Sequence, residues 1–573
     1  MLKNEINKQP EYDAIVIGTG ITGGWAAKEL CENGLKTLVL ERGRMVKHIE
    51  DYPTMLKDSW DFEFRGKASK QDLERQQKQN RSEGLINPAH NHWFVDDIQH
   101  PYTETKRFDW IRGYHVGGRS ITWGRQSYRW SNLDFEANKK DGFGVDWPIR
   151  YKDIEPWYDK VEQYIGVSGE NLGLAHLPDG KLSKPMELNC VELDFRRGLA
   201  EKFDDRILTI GRTANLTGDK VHEGRSNCQF RDRCIRGCLF GGYFSSNSST
   251  LPAAERTGNM TLRPNSIAFE IVYDEQKGLA SGVRVIDTLT KEKHFFKASI
   301  IFCCASTIAT ASVLMQSKSN RFPNGLGNDS GELGHNVMDH QLNVGAYATV
   351  EEHQDKYYKG RRPNGFYIPR FRNLDKKSEQ KDFIRGYGYQ GAALRNDWSS
   401  AVAEMSYGKE LKEELTKPGQ WSIGMGGFGE CLPYHDNKIS LNYDKLDEWG
   451  LPTVDFDVEF KDNEKKMRKD MQEQAVKMLE AAGYKNVKGF DKTESFYPGL
   501  GIHEMGTARM GLDPKTSVLN KNNQIHSVPN VYVTDGACMT SSACQNPSLT
   551  YMALTARAAN HAAEELKKNK KKL

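Results

Sequence analysis

The hydrophobic and polar positions at the start of the chain alternate in blocks. An apolar run at 14–17 leads into a glycine-rich turn at 18–23, and apolar residues then recur at helical spacing as far as Leu30. A second apolar run, at 37–40, ends at Glu41. These patterns predict a strand, a tight turn, a helix and a second strand in that order.

The glycines of this turn have distinct uses in binding a nucleotide. Gly18 permits the turn, Gly20 lets the backbone approach a pyrophosphate, and Gly23 packs the helix against the strand. The N-terminus of the helix attracts phosphates, and Glu41 is placed to accept hydrogen bonds from a ribose. Because strand, turn, helix, second strand and acid all occur in the required order, the stretch predicts a bound ADP moiety.

Patterns farther along the chain predict elements of both kinds. An amphipathic helix is predicted at 153–165, and a buried strand at 299–304 is followed by a helix that ends near Gln316. Alternating patterns between 349 and 498 predict a separate antiparallel sheet with helices. The region at 51–105 is polar and lacks sustained periodicity, so a lid, a partner-binding arm and a surface insertion all remain open for it.

Shorter elements are also expected. Two strands, at 261–264 and 282–286, are predicted to form a small sheet. Near the far end, a strand at 531–533 runs into Asp535-Gly536, and Pro547 is suited to the first turn of a final helix.

Composition indicates an ordinary globular protein of two or more domains. The chain has 573 residues, 38% of them hydrophobic and 27% charged, with a formal net charge of +3. This balance gives no overall basic field and argues against nucleic acid as a partner. Ten cysteines are too few for a disulfide scaffold in a chain of this length.

The sequence predicts neither a signal peptide nor an integral membrane segment. The first thirteen residues contain no apolar stretch of the kind that signal peptides have. The uncharged stretch at 298–317 is rich in Ser and Thr, and it is better explained as a strand, a turn and a helix than as a membrane span. The simplest expectation is a cytoplasmic protein.

Eight motifs, in order and nearly end to end, resemble the glucose-methanol-choline (GMC) oxidoreductases, FAD enzymes that oxidise alcohols. Within that family the chain is most similar to the bacterial sugar-dehydrogenase and pyranose-oxidase branch, through Gly450-Leu451-Pro452 and the motif that begins at His503. The motifs are GTGITGG at 18–24, ERG at 41–43, HVGGRSITWG at 115–124, DWPIRYKDIEPWYDKVEQYIGVSG at 146–169, GLG at 325–327, GHNVMDH at 334–340, HEMGTARMG at 503–511 and QNPSLTYMAL at 545–554.

The resemblance implies an α/β fold with two domains. A Rossmann-like FAD-binding domain would be assembled from both chain ends, beside an α+β substrate domain with an antiparallel sheet. The predicted bounds are 11–50, 106–170, 215–345 and 499–566 for the FAD-binding domain, 51–105 for the polar excursion or lid, and 171–214 with 346–498 for the substrate-binding domain.

The resemblance also implies a catalytic pair, His503 and Asn546. Oxidising an alcohol requires removal of the hydroxyl proton while a hydride goes to the flavin N5, and a neutral histidine suits the role of base. Asn546 would hydrogen-bond the same oxygen. The helix after Pro547 would direct its positive end towards the flavin N1 and C2 carbonyl.

Further residues are expected to contact the cofactor. Some relatives attach FAD covalently through a histidine at the place of Thr122, so we predict non-covalent FAD here. Adjacent glycines mark backbone close to a bulky group. The predicted cofactor-binding residues are Gly18, Gly20, Gly23, Glu41, Arg42, Gly117, Gly118, Thr122, Asp535, Gly536 and Pro547.

Two sequence segments raise the question of a metal. Cys228, Cys234 and Cys238 have a spacing that resembles sugar dehydrogenases with a three-iron cluster, and nearby arginines would lower the thiol pKa values. Three free thiols in a turn-rich loop need no metal, so an iron–sulfur cluster and a plain loop both remain open. His335 and His340 flank Asp339, but hydrogen bonding of buried histidines explains this motif as well as a metal does.

The sequence therefore predicts FAD-dependent oxidation of a secondary hydroxyl of a sugar or glycoside, at C2 or C3, with electrons passed to an acceptor other than dioxygen. Two alternatives remain, an oxygen-using oxidase and a non-catalytic electron-relay subunit. The family branch also allows a small partner subunit, a cytochrome or quinone acceptor, and export to the periplasm with a signal-bearing subunit.

Overall fold

The computed structural model describes residues 11–82, 86–218, 222, 224–356, 362–395 and 407–570. The strands are β1 (Tyr12–Ile17), β2 (Thr37–Leu40), β3 (Thr103–Glu104), β4 (Thr209–Ile210), β5 (Met260–Arg263), β6 (Ser266–Asp274), β7 (Leu279–Asp287), β8 (Lys293–Cys303), β9 (Val344–Val350), β10 (Phe366–Ile368), β11 (Tyr387–Arg395), β12 (Trp421–Gly429), β13 (Lys438–Leu446), β14 (Pro452–Asp457), β15 (Lys488–Asp491), β16 (Gln524–Ile525) and β17 (Val528–Val533). The α-helices are α1 (Ile21–Glu32), α2 (Lys70–Arg75), α3 (Asn132–Phe135), α4 (Ala137–Asp141), α5 (Tyr151–Ile165), α6 (Cys190–Lys202), α7 (Thr250–Arg256), α8 (Thr307–Gln316), α9 (Gly408–Leu415), α10 (Asp462–Ala481) and α11 (Ser548–Lys570).

The largest sheet joins the two ends of the chain. Its central strand β1 pairs in parallel with β2 on one side and with β8 on the other. Strand β17, more than 500 residues after β1 begins, pairs in parallel with β8. The strand order is β16-β17-β8-β1-β2-β5, and β7 and β6 extend from β8. Strands buried on both faces explain the continuous apolar runs in the sequence.

Helices from both ends of the chain pack against this sheet and against each other. Ala26 and Ala27 of α1 and Ala558 and Ala559 of α11 are fully buried in one hydrophobic cluster. Small side chains let the two helices lie close together over the sheet. The last helix is therefore part of the nucleotide-binding core.

A second, six-stranded sheet has the order β15-β9-β12-β11-β10-β4. The pairs among β9 to β12 and β15 are antiparallel, and β12 alternates buried and partly exposed residues along its length. Helix α10 covers the buried face with Met467, Met471 and Met478. The predicted α/β fold with an additional antiparallel α+β unit is confirmed.

A third, three-stranded sheet connects the polar excursion to the rest of the fold. Strand β3 of the excursion pairs in parallel with β14, which pairs with β13. Phe456 of β14 stacks on Phe108 and contacts Tyr102 edge to face. The domain boundaries assigned from sequence stay predictions.

One prediction of strand pairing is wrong. Strands β5 and β7 do not form a separate small sheet, because β5 pairs with β2 and β7 pairs with β8 in the large sheet. Alternation of apolar residues locates a strand but does not name its partner. Among the described helices, none is long and apolar enough to cross a membrane.

Candidate active site

A cavity of about 650 Å³ runs between the two large sheets. It begins at the glycine-rich turn after β1 and ends beside His503 and Asn546. One continuous cavity thus contains both the predicted nucleotide site and the predicted catalytic pair. The predicted residues that line it are Gly18, Gly20, Glu41, Arg42, Gly118, Thr122, His503, Asp535, Gly536 and Asn546.

Each of the three glycines of the first turn has a distinct environment. Gly18 has φ of +101°, a backbone conformation that glycine adopts without strain. A Cβ atom on Gly23 would lie 1.9 Å from the Gly18 carbonyl oxygen, so the helix can approach the strand only without it. A Cβ atom on Gly20 would meet no atom within 4 Å, so this glycine leaves open space in the cavity.

The start of α1 is suited to an anion. Its N-cap is Gly20, no side chain in the described part of the chain caps it, and its first turn contains no acidic residue. Its first backbone N–H groups and its dipole therefore favour a negatively charged ligand. Open space in front of Gly20 together with an uncapped helix terminus fits the pyrophosphate of FAD.

Glu41 lies at the end of β2, where the resemblance requires a ribose ligand. Its carboxylate accepts hydrogen bonds from the Thr19 hydroxyl and from the backbone N–H of Gly43, the latter at 3.0 Å. Burial raises the pKa of Glu41, and the Thr19 hydroxyl bond opposes that shift. Carboxylate oxygens have further lone pairs, so Glu41 can also accept from a ribose hydroxyl.

Arg42 is held at the same end of the cavity. Its guanidinium pairs with Asp447 at 3.2 Å and lies over the rings of Tyr114, at 4.7 Å, and Trp449, at 5.3 Å. Trp449 in turn stacks on His100 of the polar excursion, with centroids 5.3 Å apart. The excursion and the loop between β13 and β14 therefore meet above the nucleotide end of the cavity.

Three predicted cofactor residues, Gly23, Gly117 and Pro547, are not among the residues that line the cavity. The N–H of Gly117 donates to the Thr19 hydroxyl oxygen at 2.9 Å and so joins the two glycine-rich loops. Pro547 directly precedes α11, which begins at Ser548. Asn546 and Ser548 on either side of Pro547 both line the cavity.

The Asp535-Gly536 turn closes another side of the cavity. The Thr310 hydroxyl donates to Asp535 at 2.5 Å, and the Ala537 N–H donates to the same carboxylate at 3.0 Å. Burial raises the pKa of Asp535 to about 6. Two hydrogen bonds therefore fix this carboxylate at the end of β17, where Asp535 was expected to contact the cofactor.

Asp339 anchors the loop that contains His503. Its carboxylate accepts hydrogen bonds from the backbone N–H groups of Gly499 at 2.7 Å, Gly501 at 2.9 Å and His503 at 3.0 Å. Burial and the nearby carboxylate of Glu504 raise the pKa of Asp339 to about 7. The motif that suggested a possible metal site thus holds the loop of His503 in place.

His340 contacts His503 directly. Their Nδ1 atoms are 3.0 Å apart and their rings are perpendicular, and His340 Nε2 bonds the carbonyl oxygen of Ala543. His335 instead stacks on His435 with centroids 4.2 Å apart. The two histidines that flank Asp339 therefore belong to different environments.

Asn546 lies on the opposite side of His503. Its Nδ2 atom is 3.4 Å from His503 Nε2, and its Oδ1 accepts a hydrogen bond from Gln390 Nε2 at 2.6 Å. The structure therefore brings the predicted pair His503 and Asn546 together and adds Gln390 and His340 to it.

Both active-site histidines are neutral over the usual pH range. Burial lowers the pKa of His340 to about 4. Burial, followed by the electrostatic effects of the His340 imidazole and the Arg119 guanidinium, lowers the pKa of His503 well below its usual value of 6.5. A neutral imidazole can take up a proton, which a general base requires.

A partly buried ion pair lies next to His503. The Arg119 guanidinium donates to Glu504 at 3.0 Å and to the Ser306 hydroxyl at 3.1 Å. Arg119 and Glu504 both line the cavity, and the Glu504 side chain is almost completely buried. The pair connects the second glycine-rich loop to the loop of His503.

The predicted iron–sulfur ligands are not supported. Cys228, Cys234 and Cys238 share one loop, but among the described residues no group of three or more His, Cys, Asp or Glu side chains is arranged to hold a metal ion. Burial raises the pKa of Cys228 to about 11, and the other two thiols add to that increase. The expectation that arginines lower the thiol pKa is therefore wrong for Cys228.

The arginines of this loop bind other groups. Arg233 pairs with Asp58, Arg231 donates to the Met55 carbonyl at 2.9 Å, and Arg236 donates to the Lys57 carbonyl at 2.7 Å. They attach the cysteine loop to the polar excursion.

A dinucleotide cradle and a histidine–asparagine pair in one cavity define a flavin-dependent oxidoreductase that acts on alcohols. Two family models described as GMC oxidoreductase match residues 12–342 and 433–555. The chain belongs to the GMC oxidoreductase family, binds FAD, and acts on CH–OH donors.

Named relatives cover nearly the whole chain. The 2-methyl-1,2-propanediol dehydrogenase of Mycolicibacterium austroafricanum is 27% identical over 96% of this chain and 95% of its own. The fructose dehydrogenase large subunit of Gluconobacter japonicus is 24% identical over 98% of this chain and 99% of its own. A solved formate oxidase matches the fold with a TM-score of 0.62 at 13% identity, covering 97% of this chain and 99% of its own.

Four residues that contact the site were not among the predicted site residues: His340, Asp339, Arg119 and Gln390. Asp339 and His340 were considered only as part of a possible metal motif. Arg119 and His340 lie within motifs that resemble the family, so motif membership was an available signal. Gln390 sits in an aromatic strand and carries no comparable signal.

Proposed function

We propose that this protein oxidises a secondary hydroxyl of a sugar or glycoside, at C2 or C3, to a ketone and passes the electrons to an acceptor other than dioxygen. His503 is the base and Asn546 binds the reacting oxygen. The observation that carries this proposal is the placement of a neutral His503, partly exposed to the cofactor cavity, beside Asn546.

The hydrogen-bond partners of His340 determine which nitrogen of His503 is the base. The Ala543 carbonyl can only accept, so His340 Nε2 carries the proton and its Nδ1 is an acceptor. His503 Nδ1 must then donate to His340, which leaves His503 Nε2 unprotonated and able to accept a proton through its lone pair. This lone pair faces Asn546 and the cavity, where it can remove the proton of a bound hydroxyl.

The chain supplies what the cofactor's chemistry requires. FAD, when bound, supplies the hydride acceptor at its N5 atom. His503 Nε2 takes the hydroxyl proton, and the Asn546 N–H holds the same oxygen in place. Phe428 packs against both His340 and His503, and it limits the access of water to the base.

Neutral amides near the catalytic pair support a polyhydroxyl substrate. Gln126 donates to Asn364 at 2.6 Å and accepts from the Tyr128 hydroxyl, also at 2.6 Å. Gln126, Asn364 and Gln390 all line the cavity. Fixed amides present both donors and acceptors and no net charge, which suits the hydroxyl groups of a sugar.

The cofactor is proposed to be non-covalent. Thr122 lines the cavity at the place where covalent relatives have a histidine, and a hydroxyl side chain offers no ring nitrogen for such a bond. Acid denaturation is expected to release all of the flavin into the supernatant. Yellow colour that stays with the precipitated chain would contradict this proposal.

A partner subunit and the cellular compartment are likewise proposals. The fructose dehydrogenase relative is named a large subunit, which supports a small partner subunit here. A cytochrome or quinone acceptor is proposed from the resemblance to this branch of the family. We propose a cytoplasmic location, or a periplasmic one if a signal-bearing subunit accompanies export. The iron–sulfur cluster is not part of the proposal, because the geometry of the three cysteines does not support it.

Anaerobic flavin reduction tests the function. Purified holoenzyme is mixed with a panel of sugars and glycosides, and absorbance of the flavin is followed without oxygen. At least one sugar is expected to bleach the flavin and yield a 2-keto or 3-keto product. His503→Ala is expected to slow bleaching by about 100-fold or more while FAD stays bound.

Two outcomes would favour the alternatives. Rapid reoxidation of the reduced flavin in air would indicate an oxidase. Unchanged bleaching in His503→Ala would remove His503 from the chemistry.

A further inference from the structure

We propose that Gln390 is a positioning residue that fixes the amide of Asn546, so that its N–H group, and not its carbonyl, faces the reacting oxygen. This inference rests on the proposed function of the same site. It concerns a residue in the centre of the six-stranded sheet, which belongs to a different unit of the fold from Asn546.

The directions of the hydrogen bonds that link His340, His503 and Asn546 follow from one backbone carbonyl. Because Ala543 can only accept, His503 Nε2 is an acceptor, as derived above. Two acceptors repel, so the Asn546 atom that lies 3.4 Å from His503 Nε2 must be its amide nitrogen. The Asn546 carbonyl oxygen therefore points the other way, towards Gln390.

Gln390 makes the last hydrogen bond of this series. Its Nε2 donates to Asn546 Oδ1 at 2.6 Å, a short bond for two neutral amides. A donor at this position stabilises the observed orientation of Asn546 from the far side, whereas an acceptor would oppose it. Gln390 therefore holds the Asn546 N–H group towards His503 and towards a hydroxyl bound between them.

The backbone of Gln390 is well fixed for this task. Gln390 pairs with Tyr367 of β10 on one side of β11 and with Gly426 of β12 on the other. Sites built on strands paired on both edges hold a side chain more closely than loops do. Gln390 thus ties the orientation of Asn546 to the six-stranded sheet.

The reversed orientation would oppose the chemistry. If the Asn546 carbonyl faced His503, it would bond the protonated imidazole and could not donate to the substrate oxygen. The pKa of His503 would then rise, since its charged form would gain a hydrogen bond. Gln390→Glu creates this case, because a carboxylate only accepts and would draw the Asn546 NH₂ group to itself.

A double-mutant cycle tests the inference by activity. Gln390→Ala alone is expected to lower kcat about 10-fold in anaerobic flavin reduction. In the Asn546→Ala background, the same change is expected to alter kcat by less than about 2-fold, because Gln390 acts through Asn546. Full multiplication of the two losses would show that Gln390 acts independently, and it would overturn the inference.

Gln126→Ala is the matched control. It also removes an amide from the cavity, but Gln126 bonds Asn364 rather than Asn546. Its loss is expected to multiply with that of Asn546→Ala. Coupling of similar size for Gln126 and Gln390 would mean that any amide in the cavity behaves alike, which would also refute a specific role for Gln390.

A measurement without turnover separates this inference from the proposed function. The ¹⁵N shifts of labelled histidines report the protonation of His503 in the holoenzyme, and the His503→Gln variant assigns its signals. Gln390→Glu is expected to raise the pH at which His503 protonates, and Gln390→Ala to raise it less. Identical titration in wild type and Gln390→Glu would refute the inference even if sugars reduce the flavin. A wild type that no alcohol reduces would refute the function alone.

Discussion

The Nδ1 atoms of His340 and His503 lie 3.0 Å apart, although 163 residues separate them in the sequence. His340 Nε2 bonds the Ala543 carbonyl at its other side. The contact joins three segments of the chain and assigns a single tautomer to His503, the proposed base.

Replacing His340 tests this assignment. His340→Leu removes the acceptor for His503 Nδ1–H, so either nitrogen of His503 can carry the proton, and kcat is expected to fall about 100-fold. His340→Gln can still accept from His503 and donate to Ala543, and it is expected to retain most of the activity. Anaerobic flavin reduction measures both. Equal losses in the two variants would show that His340 contributes only packing.

The buried His340 also predicts a dependence of stability on acid. Its pKa is about 4 in the folded protein, below the unfolded value near 6.5, so unfolding takes up a proton between these two values. The full contribution is present above pH 6.5 and decreases as pH falls towards 4, by about 3 kcal/mol in all.

His340→Gln removes this titration. The free energy of unfolding, measured with urea at several pH values, is expected to fall less in the variant than in the wild type between pH 6.5 and 4. Asp339 titrates in the opposite direction, but it is present in both proteins and its effect cancels in the difference. Parallel pH profiles would contradict a neutral buried His340.

Alanine substitutions at two glycines of the first turn are expected to affect different properties, FAD affinity at Gly20 and folding stability at Gly23. Gly20→Ala places a methyl group in open cavity, so the apoprotein keeps its Tm while the Kd for FAD rises about 10-fold or more. Gly23→Ala places a Cβ 1.9 Å from the Gly18 carbonyl, so the apoprotein itself loses several degrees of Tm. Thermal melts and flavin titration measure the two effects. Loss of apoprotein stability in Gly20→Ala would contradict the assignment of Gly20 to open space at the nucleotide end of the cavity.

Loss of the carboxylate from the Arg119–Glu504 pair is expected to destabilise the fold more than the same change in an exposed ion pair. Glu504→Gln leaves a largely buried guanidinium without its carboxylate and is expected to cost about 2 kcal/mol of folding free energy. The exposed pair Arg284–Glu270 is the matched control, and Glu270→Gln is expected to cost less than about 1 kcal/mol. Urea denaturation of the holoenzymes compares them. A similar cost for both would argue that Glu504 is not an essential counterion.

Local pattern predicted the elements well, but it did not predict which elements meet. The strand, turn and helix at 12–32 follow from periodicity and glycine spacing, and β1 and α1 match them closely. The pairing of β7 with β8 depends on competition between strands far apart in the sequence, which a single pattern does not contain. The same limit applied at the site, where His503 and Asn546 were named but their partners His340 and Gln390 were not.

Charge was the other source of error. Sequence proximity of arginines to Cys228 suggested a lowered thiol pKa, but the arginines bond residues 55–58 and burial of the thiol dominates. Whether arginines near a cysteine in sequence also contact it depends on the conformation of the loop. Turn-rich loops have little hydrophobic periodicity from which that conformation could be predicted.

The large sheet has a consequence for synthesis. Its strand β17 and the helix α11, residues 528–570, complete the cavity that β1 and α1 begin. Chains emerge from the ribosome N-terminus first. The glycine-rich turn is therefore synthesised about 500 residues before β17 and α11, the elements that complete its cavity. Flavin capture is therefore expected to be a late event, and a chain that ends before residue 528 lacks Asp535 and Asn546, so that neither the cofactor cavity nor the pair His503 and Asn546 is complete.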